Sequence, residues 1–461
     1  MFKSFKSSGK LVQFTGAVCV NLCAIVYGIV VAWPAPTMPI LASADSPLPT
    51  GALTQNQVSL VNSILALGGM TGALIFGWVA DRFGRKWPLI VGTIPQMISF
   101  ILLATANNVN FLLASRFLSG VSGGVMFVLA PIYVSEISEN SIRGMLGSIL
   151  GIFYNLGLLI ANVICTYLSF YTVPLIVLGI LSLFMLYIFF PESPQYLLLK
   201  GKDVEAEKSL KFFRGASATD QLEVEFATLK SSINASFSKK DRLTLQDFKP
   251  DTTKKALIVS YVILSGRNCA GLFVLMNYTV AIFQEAGTGL DPNISAIIAS
   301  IIQLLGAIVS AYYTDKSGRR VLLIVSLVVA AAFYIILGIY FLLNHLVYDL
   351  SSVFWLPVVS ISGILFLSAA IFNVPLYVMA ELLPTKIRSS VTTIFQASIW
   401  PVAFVTIQFY LPFSELVGVY TCMWIFAGWC LFEAVFSYFW LPETKGKSAH
   451  EIILALEGKI K

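Results

Sequence analysis

The 461-residue chain is 57% hydrophobic and only 12% charged, with a mean hydropathy of +0.82, whereas soluble domains carry about 25% charged residues. That much apolar side chain needs lipid as its solvent. The formal net charge of +6 sits in a few clusters rather than along a basic face, which excludes nucleic-acid binding.

Spans of about 20 apolar residues are predicted at 11–34, 58–79, 87–106, 111–134, 144–166 and 171–190, and again at 256–283, 293–313, 321–343, 353–380, 391–411 and 419–440. The first follows Lys3, Lys6 and Lys10; it is too long for a signal peptide and lacks a small-residue cleavage site. Between the two sets lies a polar stretch, 191–255, in which Asp203 to Arg214 and Thr219 to Ile233 show the apolar spacing of short amphipathic helices. Lys239 to Arg242 is expected to be a solvated loop. The organisation expected is a first six-helix bundle over 1–190, a linker over 191–255, a second bundle over 256–440 and a tail over 441–461. The fold class is all-α, with twelve transmembrane helices.

Lys and Arg fix the expected orientation. The connections after spans 1, 3, 5, 7, 9 and 11 contain none and carry Asp45, Glu285, Asp291, Asp349 and Glu415 instead. All Lys and Arg except Arg116 and Arg267 lie on the opposite side, so both termini are expected in the cytoplasm. The six cysteines all fall in apolar segments without a CxxC, and there are two histidines, so neither a disulfide framework nor a metal site is expected.

The two halves repeat each other. Asp81-Arg-Phe-Gly-Arg-Lys86 follows span 2 and Asp315-Lys-Ser-Gly-Arg-Arg320 follows span 8. Glu136 and Arg143 are seven apart after span 4, as are Glu381 and Arg388 after span 10. Pro191-Glu-Ser193 follows span 6 and Pro442-Glu-Thr444 follows span 12. A duplicated unit with an even number of spans gives two copies of the same orientation, a parallel repeat known among transporters.

These motifs, with Gly77-Trp-Val-Ala-Asp81, Arg116-x3-Gly120-x3-Gly124, Pro131-Ile-Tyr-Val-Ser-Glu136 and Pro191-Glu-Ser-Pro-Gln-Tyr-Leu197, are together and in order specific. The chain resembles the sugar porter family of the major facilitator superfamily over nearly its whole length, and within it the insect facilitated trehalose transporters. The resemblance implies two bundles rocking about a central site, a sugar carrier in the plasma membrane functioning as a monomer, and no enzyme activity or cofactor. Asp81, Glu136, Glu192, Glu381 and Glu443, facing Arg82, Arg85, Arg143, Arg319, Arg320 and Arg388, with Asp315 beside them, are expected to form a cytoplasmic gate that clamps the halves in one state and breaks in the other. Individual exposed pairs are worth only about 0–1 kcal/mol, which suits a gate between nearly balanced states.

Candidate binding residues are polar or aromatic groups at membrane depth: Asn155, Arg267, Asn268, Asn277, Tyr278, Gln303, Asn373 and Trp400. Amides bond sugar hydroxyls and aromatic faces cover C–H surfaces. Arg267 stands about eleven residues into span 7, where a cation costs ~3 kcal/mol or more and demands a wet cavity or a partner. Here the chain departs from the family. Its span 7 signature Gln-Gln-Leu-Ser-Gly-Ile-Asn is Arg267-Asn-Cys-Ala-Gly-Leu-Phe273, and the Gly-Pro-x-Pro-Trp of span 10 is Phe372-Asn-Val-Pro-Leu376. The family's frequent Gln in span 5 is Gly151. The acid that proton-coupled relatives carry two residues beyond the equivalent of Gly28 is Val30, which favours passive uniport. Three readings stay open: a passive sugar carrier, a carrier of an anionic or other solute held by Arg267, and a non-transporting sensor.

Overall fold

In a computed structural model, residues 8–139, 141–215, 219–238, 245–314, 316, 318–445, 447, 451, 452 and 454 are described; within them the side chains of 8, 81, 219–221, 232, 234–238, 245, 385, 386 and 389 are not. Lys3, Lys6, the stretch 239–242 and Asp315 therefore lie outside the described residues. Among the described residues, twelve helices or helix pairs are long and apolar enough to cross a membrane: Gly9–Leu41, Gln55–Ala80, Lys86–Ala104, Val109–Ile137, Arg143–Tyr167, Thr172–Phe189, Asp251–Ala286, Pro292–Thr314, Arg319–His345, Ser351–Leu382, Ser390–Val417 and Val419–Trp440. They are numbered here as spans 1 to 12. The chain is a multi-pass membrane protein. Among the described residues the linker forms three α-helices, Pro194–Leu199, Asp203–Arg214 and Thr219–Ser238, of which the sequence pattern had indicated the last two, and a 3-10 helix, Leu245–Phe248.

Spans 1 and 7 differ most in shape from the apolar runs that revealed them; span 3 is also divided, into Lys86–Gly92 and Ile94–Ala104, and span 6 ends in a 3-10 helix, Met185–Phe189. Span 1 continues past 34, because Pro34 opens a second helix, Pro34–Leu41, in the first turn, where an amide hydrogen has no intrahelical acceptor. Span 7, expected as one helix, is broken into Asp251–Cys269 and Leu272–Ala286. Gly271 sits at the break with φ 72°, a left-handed conformation open to glycine at no steric cost. The carbonyl of Ala270, freed by the break, accepts the Tyr334 hydroxyl of span 9 at 2.6 Å. Irregular backbone at this depth is tolerated because the protein itself re-satisfies it.

Within the first half span 2 packs on span 4 and span 1 on span 5; within the second, span 8 packs on span 10 and span 9 on span 12. The approach of spans 2 and 4 is set by small residues. A Cβ on Gly120 would lie 2.9 Å from the Gly68 Cα, and one on Gly124 would lie 2.6 Å from the Ala73 amide nitrogen. Lipid supplies no hydrophobic drive between helices, so this backbone proximity is what van der Waals packing requires.

The halves meet along spans 2 and 11, spans 5 and 8, and spans 1 and 7. Call the end carrying the repeated charged motifs the charged end, and the other the far end. Toward the far end the halves interlock: Ser63 of span 2 hydrogen-bonds Gln408 of span 11 at 2.6 Å, and Asn162 of span 5 donates to Ser300 of span 8 at 2.8 Å. Toward the charged end contact thins along one face of span 5. A Cβ on Gly151 would lie 3.7 Å from the Asn373 side chain, whereas one on Gly147, a turn further on, would meet nothing within 4 Å. The cleft between the halves is thus closed at the far end and open at the charged end.

Candidate functional site

The charged end shows the repeat at atomic level. Glu192, just after span 6, accepts the backbone amides of Arg85 and Lys86 at the start of span 3, at 3.1–3.2 Å. Glu443, just after span 12, likewise accepts the amides of Arg319 and Arg320 at the start of span 9, at 3.0 and 3.2 Å. Each carboxylate satisfies helix N-terminal donors and meets the positive end of the helix dipole. The preceding glycines make this possible: Gly84 has φ 100° and Gly318 φ 89°, and a Cβ on either would collide with the capping carboxylate. Burial pushes the Glu192 carboxyl above the ordinary glutamate range, while the amides of Ser193, Arg85 and Lys86 pull it back.

The described ion pairs of this region each stay within one half: Arg85 with Glu136 at 3.2 Å and Arg319 with Glu381 at 3.4 Å. Glu136 also receives the Ser193 hydroxyl. Arg143 donates to the Ser138 carbonyl at 3.4 Å and Arg388 to the Leu383 carbonyl at 3.0 and 3.1 Å, equivalent bonds in the two halves. Arg320 donates to the Tyr438 carbonyl. Arg82 is exposed, its guanidinium 5.7 Å from both the Trp78 and Phe83 rings. The side chain of Asp81 lies outside the described ones. The expectation was of acids and arginines paired across the halves in one state; in this open-cleft arrangement Arg85–Glu136 and Arg319–Glu381 pair inside their own halves.

At mid-depth the cleft is lined from both halves. Arg267 projects from the first segment of span 7, with its guanidinium 5.5 Å from the Phe372 ring and a 3.3 Å hydrogen bond to Gln396 of span 11. Its Nε is buried without a partner. Asn373 of span 10 faces Gly151 of span 5. Tyr154, also on span 5, stacks on Tyr27 of span 1 with centroids 6.3 Å apart, and its hydroxyl lies 3.8 Å from the Met276 sulfur across the halves. Phe127 completes this aromatic group, 5.4 Å from Tyr27 and 5.9 Å from Tyr154. Asn155 and Asn277 each donate to a carbonyl four residues back in their own helix, Gly151 and Phe273, and each leaves its Oδ1 buried and unpartnered. Buried amide oxygens are normally satisfied, so these two acceptors are available to hydroxyl donors.

The other candidates are turned to packing. Asn268 donates to the Ile399 carbonyl at 2.6 Å and ties span 7 to span 11, although its Oδ1 is likewise buried and unpartnered. Gln303 donates to Ser368 at 3.4 Å between spans 8 and 10. Tyr278 donates to the Ile407 carbonyl at 3.3 Å and lies against Tyr410, centroids 5.1 Å apart. Trp400 covers Gly69, where a Cβ would lie 2.7 Å from the indole ring. Sequence reasoning passed over Gln396 and Tyr27. Gln396 carried the same signal as Gln303, an amide deep in an apolar span. Tyr27 carried none beyond being one aromatic among many.

The second buried arginine, Arg116, is held differently. Its guanidinium donates to the carbonyls of Val30 and Val61 and lies 5.7 Å from the Trp33 ring. A separate space of about 220 Å³ opens at the far end between Trp33, Thr37, Asp45 and Phe170, away from the mid-depth cluster.

The sequence profile of a family described as "Sugar (and other) transporter" matches residues 11–455. The chain is 29% identical over 455 residues to the facilitated trehalose transporter Tret1 of Aedes aegypti, covering 97% of this chain and 56% of the relative. It is 28% identical over 451 residues to the Tret1 of Culex quinquefasciatus, covering 97% and 86%. It spans about half the length of several such relatives, among them that of Drosophila virilis at 49%. Among solved structures, the inward-open conformation of the xylose transporter XylE from E. coli superposes with a TM-score of 0.77 at 18% identity, covering 97% of this chain and all of that one. XylE bound to 6-bromo-6-deoxy-D-glucose gives 0.75 at 20% identity, covering 96% and 99%. At these identities the likeness shows the fold: two six-helix bundles of the major facilitator type.

Proposed function

The chain belongs to the sugar (and other) transporter family, and on that premise we propose that it is a facilitative carrier, a uniporter, for a sugar such as trehalose or a hexose. The observation that carries this reading is the mid-depth cluster of Arg267, Asn373, Asn155 and Asn277 at the interface of the halves. It offers unpartnered amide oxygens and a half-satisfied guanidinium beside aromatic faces. Hydroxyl donors suit the amide oxygens, hydroxyl oxygens suit the guanidinium, and sugar C–H faces suit Tyr27, Tyr154 and Phe372.

The carrier works by alternating access. The charged end faces the cytoplasm, as the Lys and Arg bias favours, and the arrangement described is inward-open in that orientation. Sugar leaves through the open charged end; the halves then rock, the interlock of Ser63 with Gln408 and of Asn162 with Ser300 parts, and the gate arginines re-pair across the closing end. Passive transport is favoured because Arg116, held by backbone carbonyls, faces Val30 rather than an acid. No covalent step is involved. The carrier resides in the plasma membrane and acts as a monomer.

A second reading, carriage of an anionic solute, is favoured by one observation: the buried Nε of Arg267 has no partner among the described residues. Uptake of labelled trehalose and glucose into proteoliposomes separates the two, run with and without an imposed pH gradient and with Arg267→Gln alongside. Saturable sugar uptake that stops at equilibrium in both conditions is expected, with sugar still carried by Arg267→Gln. Absence of sugar uptake by correctly inserted protein, with organic anions carried in its place and lost in Arg267→Gln, overturns the sugar reading.

A further inference from the structure

Span 12 carries an ionisable side chain that transport as described does not use. Glu433 is wholly buried, seven residues short of the last residue of its span, Trp440, which places it about 10 Å along the helix from that end. Neither of its carboxyl oxygens has a hydrogen-bond partner among the described residues. The carboxyl group lies flat against Gly266 of span 7, where a Cβ would collide with both oxygens. Trp429, one turn away on its own helix, is the neighbouring donor to this carboxyl, its indole Nε1 short of hydrogen-bond geometry, and Ser437 sits one turn the other way with an unpartnered hydroxyl.

The elements packed on span 12 here are spans 7, 9 and 11. Span 7 contributes Cys269, partly exposed and within electrostatic reach of Glu433. Cys430 stands on span 12 itself. Span 9 contributes Tyr334, whose hydroxyl is engaged by the Ala270 carbonyl. Span 11 holds Tyr410, stacked on Tyr278, and Glu415 nearer its far end. The cations at the charged ends of these spans are held elsewhere, Arg320 by the Tyr438 carbonyl, Arg319 by Glu381 and Lys254 by Asp251. A carboxylate buried without a counter-charge is costly enough that the group keeps its proton instead.

The available counter-charge is one residue from the contact. Arg267 follows Gly266, has an unpartnered Nε, and is held in the cleft by a single described hydrogen bond. Successive Cα atoms are about 3.8 Å apart, and successive helical side chains diverge by about 100°. A turn of the Arg267 side chain toward the face that carries Gly266 is the movement that would bring its guanidinium to the Glu433 carboxylate.

We propose that Glu433 is a proton-binding site whose ionised form pairs with Arg267, so that taking up a proton frees Arg267 to engage solute in the cleft. This rests on reading the cleft as the solute site. One proton moves. Glu433 releases it to cleft water past Cys269 when Arg267 turns back, and recovers it when Arg267 turns to the solute. The cleft opens at one end only in this arrangement, so the proton exchanges with the compartment at that end. It tunes affinity without driving accumulation, which leaves transport passive.

Infrared spectroscopy of the full chain in lipid reads the site directly. A protonated-carboxyl band is expected at neutral pH, absent in Glu433→Gln and fading as pH rises. In Arg267→Gln, which lacks the counter-charge, the band should persist to a pH at least about one unit higher, equivalent to a tenfold change in proton affinity. Solute affinity, measured at equal pH on both sides, should weaken by up to about tenfold per pH unit on the alkaline side and stay flat in Glu433→Gln. A neutral-pH spectrum with no band dependent on Glu433, or a band with the same midpoint in Arg267→Gln, overturns the inference. Sugar uptake that is equally pH-insensitive in the native chain and Glu433→Gln also overturns it while leaving the carrier reading intact. A band that behaves as expected in a protein that moves no sugar leaves the proton site standing and removes the sugar reading.

Discussion

Gly69→Ala tests whether the interface of spans 2 and 11 biases the conformational equilibrium. A Cβ on Gly69 would lie 2.7 Å from the Trp400 ring, against an ordinary contact distance of 3.4–4 Å. The ring is wedged between the two halves, so it must move or the spans must part. Overpacking of this kind costs about 1–3 kcal/mol. The cost falls mainly on the arrangement in which spans 2 and 11 are pressed together. The population of the open-cleft state should therefore drop by about 5- to 150-fold relative to its alternative. The assay is maleimide labelling of Gly147→Cys in a background lacking the native cysteines, since position 147 opens to free space in the cleft. Labelling should slow in Gly69→Ala and recover when Trp400→Leu is added, because the smaller side chain removes the collision. An unchanged labelling rate refutes the reasoning, and so does a faster one, which would signal general loosening rather than a shift between states.

Gly124→Ala should lower thermal stability in detergent by about 1–3 kcal/mol, because its Cβ would meet backbone atoms of Gly69 and Ala73 that cannot rotate away; an unchanged melting temperature would contradict the packing of spans 2 and 4. Asn268→Ala should cost stability by about 0.5–1.5 kcal/mol, since it removes the buried hydrogen bond that joins span 7 to the Ile399 carbonyl of span 11. Asn277→Ala, whose donor bonds only its own helix, should instead weaken solute affinity at nearly native stability; the reverse pattern in melting and binding assays would reassign both residues. For Glu192 the sign follows from its raised carboxyl pKa. The folded chain binds the proton more tightly than the unfolded one, so the Glu192 contribution to stability is greatest in acid and declines as pH rises through the window between the two values. Glu192→Gln should flatten that part of the melting-temperature profile, and an unaltered profile would show that burial is not what sets its ionisation.

Much of this architecture is written in one-dimensional pattern, for a physical reason. Lipid forces each span to satisfy its own backbone, so a run of about 20 apolar residues can be little other than a helix. The matched motifs at Asp81 and Asp315, Glu136 and Glu381, and Glu192 and Glu443 make the duplication visible before any coordinates. Gly120 and Gly124 announce a close helix contact by their spacing alone.

Which polar side chain faces the cleft was decided only by tertiary structure. Asn268 and Asn277 share a residue type and a span, yet one donates to the Ile399 carbonyl on another helix and the other only to the Phe273 carbonyl of its own. The Gly271 break makes the difference, because it re-aims everything beyond Cys269 and no apolar count registers it. Glu192 and Glu443 look in sequence like partners for arginine side chains, and the fold sets them on backbone amides that only the return of spans 6 and 12 brings within reach. Glu433 gave no signal worth ranking, one acid in an apolar run, until span 7 placed Gly266 against it. Composition and period determine what must be buried in lipid; which groups meet inside the bundle depends on helix rotation and approach, which are set by contacts between residues far apart in the chain.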